Sequence, residues 1–122
     1  MPIYGGSGST IYRVALHPVA AFSVMYDVDG YHADIADSAD VIHESTVIGI
    51  VQSGVTAGEV VPLTRQGVFE DPTLSIPLGR LFLGTAGAIV NTPPAHGIMV
   101  QVGFAASRNN AVIDVQPAIR RL

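Results

Sequence analysis

The 122-residue sequence contains no cysteine, no tryptophan and no lysine. Without cysteine there is no disulfide, no thiolate metal site and no cysteine nucleophile, so robustness must come from packing or assembly. Without lysine, six arginines stand against ten Asp+Glu, and the formal net charge is −4. So few cations form no basic patch that could neutralise a run of phosphates, and nucleic-acid binding is not expected. Long apolar runs are also missing. Val47 to Val51 is typical of the strongest segments, far short of the ~20 residues that a membrane-crossing helix needs. The start, Met-Pro-Ile-Tyr-Gly-Gly-Ser-Gly-Ser, lacks the basic and apolar regions of a secretory signal, which points to synthesis in the cytoplasm.

Charge of either sign is scarce. Charged residues make up 13% and hydrophobic ones 48%, where about a quarter charged is usual for soluble domains. A surface so poor in charge implies that part of it is buried against other subunits or a larger lattice. The bland alternative is a monomer with many neutral polar side chains outside. The length suits one domain with one core.

Short apolar runs alternate with turn signals at Asp29-Gly30, Ala57-Gly58, Gln66-Gly67, Ala86-Gly87 and Arg108-Asn109-Asn110. No segment holds a helical apolar stripe for ten residues, apart from a possible turn near Ala33 to Val41, so the expected fold is all-β. Nine short strands are expected: Phe22–Asp27, Tyr31–Ala33, Thr46–Gln52, Glu59–Thr64, Gly67–Phe69, Arg80–Leu83, Ala88–Val90, Ile98–Phe104 and Ala111–Val115. Asp27 to Gly30 and Gln66-Gly67 read as hairpin turns, and Thr92-Pro93-Pro94 as a loop, because its prolines cannot donate to a ladder. Closing the strands into a small barrel or sandwich removes sticky edges. The Gly/Ser-rich start reads as flexible, and residues 1–18 are assigned to an N-terminal arm ahead of a single β domain, 19–122. The tail after Pro117 is either an edge strand or a docking segment.

Chemistry-bearing patterns are sparse. Gly5-Gly6-Ser7-Gly8-Ser9 has neither the lysine of a phosphate loop nor a strand before it, and Ser7 is in no nucleophile elbow. Asp27, Asp29, His32, Asp34, Asp37, Asp40, His43 and Glu44 are the one cluster able to hold a metal or run acid–base chemistry. Their spacing does not fit a calcium loop, and turn and cap roles are the simpler reading. His17 and His96 sit at structural breaks with no carboxylate next to them in sequence and read as loop histidines. The tyrosines and phenylalanines are too dispersed for a sugar-binding platform, and most are assigned to the core. No catalytic residue, metal or cofactor is assigned. Ile3, Tyr4, Ile11, Tyr12 and Arg13 of the arm are the candidate subunit contacts, with Tyr4 and Tyr12 as its anchors.

From Phe22 to Val115 the order of motifs resembles that of small tailed-phage virion proteins, the capsid cement or head decoration family. The likeness runs through Tyr26-Asp27-Val28-Asp29-Gly30, Val47-Ile48-Gly49-Ile50, Ala57-Gly58-Glu59-Val60-Val61 and Gln66-Gly67-Val68. It continues through Leu81-Phe82-Leu83-Gly84, Gly87, Thr92-Pro93-Pro94, Val100 to Ala105 and Val112-Ile113-Asp114-Val115. The resemblance implies a non-enzymatic β module, commonly a homotrimer, on the outer surface of the virion head, clamping adjacent subunits of the major capsid protein. A tail-fibre or tailspike accessory module is the alternative, and a small carbohydrate-binding β module or β-barrel enzyme a third. The initial Met favours a stand-alone subunit over a fibre domain.

Overall fold

Period-two alternation of apolar and polar residues, punctuated by glycine turns, builds eleven strands in the computed structural model, which describes residues 9–40, 43, 46–72 and 74–121. They are β1 (Ser9–Ala15), β2 (Val24–Asp27), β3 (His32–Ile35), β4 (Val47–Val51), β5 (Val60–Glu70), β6 (Gly79–Leu83), β7 (Ile89–Val90), β8 (Gly97–Met99), β9 (Gln101–Ser107), β10 (Asn110–Asp114) and β11 (Ile119–Arg121). Five of them close on themselves in the order β1-β3-β2-β4-β5, because β5 also pairs with β1. The fold is all-β and its centre is a five-stranded barrel.

β5 is the element that joins two bodies. Its first half pairs antiparallel with β1, from Ser9↔Gln66 to Val14↔Val60, and with β4 at Val51↔Leu63. Its second half pairs with β10, from Asp114↔Gln66 to Asn110↔Glu70. Beyond β10 the sheet continues through β9 and β6 to the two-residue edge strand β7. We call this extension the wing. β11 pairs with β8 in a separate two-stranded ribbon.

Two cores follow from this layout. Ala15, Met25, Ala33, Val51, Val61 and Leu63 fill the barrel. Phe69, Leu74, Leu81, Leu83, Ile98, Val100, Val102 and Ile113 fill the space under the wing, together with Val24 and Ile50 from the barrel wall. Adjacent residues in a strand point to opposite faces. Val24 and Met25 on β2, and Ile50 and Val51 on β4, therefore feed one core each, and the β2–β4 wall is buried on both sides.

Several expectations are corrected. Residues 9–15 are not arm but β1, held by β5 on one side and by β3, in parallel, on the other. Val19 is tied down as well, in a bridge to Val55. Gln66-Gly67 is not a hairpin turn: Glu59–Thr64 and Gly67–Phe69 merge into the single β5. Ile98–Phe104 divides into β8 and β9. The tail resolves as the edge strand β11.

Candidate functional site

β1 sends its side chains alternately into the barrel and out to solvent. Ile11, opposite Leu63, is half-buried, whereas Tyr12, opposite Pro62, stands 64% exposed. Arg13 is half-buried because its Nε donates to Asp27 Oδ1 at 2.8 Å. The same carboxylate oxygen accepts the Gly30 N–H at 3.0 Å, so Asp27 fastens the β2–β3 turn and anchors it to β1. Gly30 takes φ +84°, a left-handed conformation with little cost only for glycine.

Asp29 finishes the turn. Its Oδ1 accepts the N–H groups of His32 (2.7 Å) and Tyr31 (3.0 Å), and its Oδ2 lies 2.9 Å from His32 Nδ1. The backbone bond from His32, then its side chain, then the Tyr31 N–H hold the Asp29 carboxyl down to about 2. Tyr31 is thereby fixed 63% exposed, with its ring edge-on to that of His32 at 4.8 Å. Tyr12, Arg13, Val14, Gly30, Tyr31 and Val60 together line a shallow depression of about 180 Å³.

Two tyrosines with polar tips, an exposed valine and a guanidinium already matched by a carboxylate make a surface that can lose water cheaply. The rings carry apolar area at low entropy cost, and the arginine's charge is compensated before a partner arrives. Such a surface is suited to contact with a partner. Of the predicted contacts, Tyr12 and Arg13 line the depression, as parts of a barrel strand rather than an arm, whereas Ile11 is not in its lining and sits on the barrel side of β1. Ile3 and Tyr4 lie outside the described residues.

The structure adds Tyr31, which the sequence reading put with the core aromatics. Phe104 is corrected in the same way, being 48% exposed. Tyr12 and Tyr31 line one depression because β1 and β3 run side by side, and no short-range signal shows this.

The acidic and histidine-rich stretch divides into separate pairs instead of one centre. His17 Nδ1 lies 3.0 Å from Asp34 Oδ2, a partner distant in sequence. His43 is buried, stacks on Tyr26 at 3.8 Å between ring centres, and accepts the Asp37 N–H at Nδ1 over 3.1 Å. Burial first, then the charges of Asp34 and Asp40, raise the Tyr26 hydroxyl pKa above its ordinary value. Asp37 also accepts the Ala39 N–H at 2.9 Å. These are bonds that hold loops in place, and among the described residues no three such side chains converge on a metal position. Glu44 lies outside the described residues. No family model matches the sequence, and no curated protein does either.

Proposed function

We propose that the chain is a structural, non-catalytic module of a tailed-phage virion, a capsid decoration protein that binds the outer surface of the head and bridges neighbouring major capsid subunits. One observation carries the reading: a single unbroken strand, β5, connects two exposed apolar faces. Val60 lies at its start beside Tyr12 and Tyr31, and Val68 lies toward its other end on the wing. Val68 is eight residues further along the strand than Val60, a span of about 26 Å at ~3.3 Å per residue. A stiff body with two separated contact faces can touch two neighbours at once, which is what reinforcing a lattice requires. Repetition over the lattice then lets each contact stay weak. The order of motifs from Phe22 to Val115 supplies the phage context.

Cosedimentation with undecorated heads tests it. The intact protein is expected to pellet with heads, and Tyr12→Ala/Tyr31→Ala to remain in the supernatant at equal stability. A protein that ignores heads sinks the reading. The same tyrosines favour a second reading, a carbohydrate-binding module, since two exposed rings beside a shallow depression can stack on a sugar. Glycan binding that needs Tyr31, with heads ignored, would put it first.

A further inference from the structure

On the outer face of the wing, Val68, Val112, Phe104 and Arg80 form one cross-strand row. The register sets Val68 opposite Val112, Val112 opposite Phe104 and Phe104 opposite Arg80. Directly opposed residues share a face. The three apolar members are each about half exposed, at 48%, 49% and 48%. With strands ~4.8 Å apart the row is ~14 Å long. Its two ends differ. Arg80 terminates it on β6 and has no ion pair within the chain among the described residues. At the β5 end stands Glu70, two residues beyond Val68 on the same face, bonded among the described residues to the Asn110 amide at 3.0 Å.

We infer that this row is the face on which a second copy of the chain docks, in a two-fold pairing. The inference goes beyond the proposed function: with the wing face covered by a second copy, the dimer's two tyrosine faces are what meet neighbouring capsid subunits, and the pairing is two-fold where the resemblance implies a homotrimer. A two-fold axis parallel to the strands, passing between β9 and β10, exchanges the ends of the row. Phe104 of each copy then packs on Val112 of the other, and each Arg80 arrives beside the other copy's Val68, within reach of Glu70. Cation meets carboxylate twice while the apolar centre is covered. The face is self-complementary, as an isologous contact has to be. A partner bearing only apolar surface would leave Arg80 unmatched under cover, which costs free energy.

Light scattering on the purified chain over a concentration series reads the result. A dimer of twice 12.7 kDa is expected, and Val112→Asp should weaken it at least ten-fold with the circular dichroism unchanged. Arg80→Glu should weaken it to a similar extent, and adding Glu70→Arg to the same chain should restore it. That rescue requires the two positions to face each other across the axis, whatever Val112→Asp does to folding. A monomer at every concentration, a trimer, a dimer indifferent to Val112→Asp or a charge swap that fails to rescue overturns the inference. Head pelleting is scored separately, so heads that ignore an intact dimer count against the decoration reading alone.

Discussion

The barrel and the wing are made of similar strands and share β5, yet they solve the problem of sheet edges differently. The barrel closes: β1 pairs with β3 and β5, and no edge is left among its five strands. The wing stays open and ends on the two-residue β7, a short edge of the kind that discourages unwanted pairing. Closure also fixes what each body shows to solvent. On the barrel, Asp29 holds the Tyr31 N–H and Asp27 holds Arg13 and Gly30 beside the tyrosines, whereas among the described residues the wing's exposed row is held by its ladder. Carboxylate side chains tie the first face to its turn, while the second rests mainly on backbone pairing.

The most damaging way to break the comparison is at Gly103, where β9 crosses β10. A Cβ there would lie 2.1 Å from the Val112 carbonyl oxygen, so the two strands cannot keep their spacing. Overpacking that backbone contact should cost about 3 kcal/mol or more. Gly103→Val is expected to dismantle the wing, and its urea midpoint, compared with wild type, checks this. Because Val24 and Ile50 of the barrel wall lie under the wing, the barrel should lose stability with it.

Single-core truncations sharpen that point. Leu63 lies in the barrel core and Leu81 in the wing core, both fully buried. Replacing either by alanine should cost about 2–5 kcal/mol. Since the β2–β4 wall serves both cores, each variant should still unfold in one transition, with tyrosine fluorescence and circular dichroism coincident. Two separated transitions in Leu81→Ala would mean that the bodies are independent and that the shared wall does not couple them.

A smaller effect is expected at the barrel's contact face. Asp27→Asn removes the charged partner of Arg13 and weakens the bond to the Gly30 N–H. For a half-buried pair of this kind about 1 kcal/mol is expected. Hydrogen exchange should report it most strongly at the turn, with protection at Gly30 and Tyr31 falling further than at Leu81, where the loss is no more than the change in global stability. Uniform loss throughout the chain would contradict the view that these bonds fix the tyrosines and little else.

How much of this was legible in the sequence depended on range. The Asp27 to Gly30 turn and the Arg108-Asn109 turn were readable, because local chemistry alone makes them. β1 was missed because its neighbours are Gly and Ser, and because Ser9–Ala15 carries apolar residues at both parities, Ile11 and Ala15 on one face and Tyr12 and Val14 on the other. A strand that faces a core on one side and carries exposed apolar residues on the other hides its period. Gly67 misled in the opposite direction: it sits inside β5 without a positive φ, and a glycine that does not turn looks in sequence like one that does. The Tyr12–Tyr31 face and the Val68 to Arg80 row are products of register across strands, which single-sequence patterns do not encode.

The smallest effect is a matter of pH, and it tests whether Asp29 holds the barrel's turn as a carboxylate. Its folded pKa, about 2, is below the ordinary 3.8, because the charged form accepts the His32 and Tyr31 N–H groups. A depressed acid contributes stability that is complete above its unfolded pKa and is lost as pH falls through its folded one. The window is therefore pH 4 down to pH 2. Asp29→Asn keeps an oxygen acceptor but no charge, so the gap in urea midpoint between wild type and variant should be constant at pH 5 to 7 and shrink steadily below pH 4. A gap that persists to pH 2 would show that shape rather than charge holds the turn. The charge of Asp29 would then contribute nothing to the barrel's tyrosine face, and the charged hold on that turn would rest on Asp27 alone, through Arg13 and the Gly30 N–H.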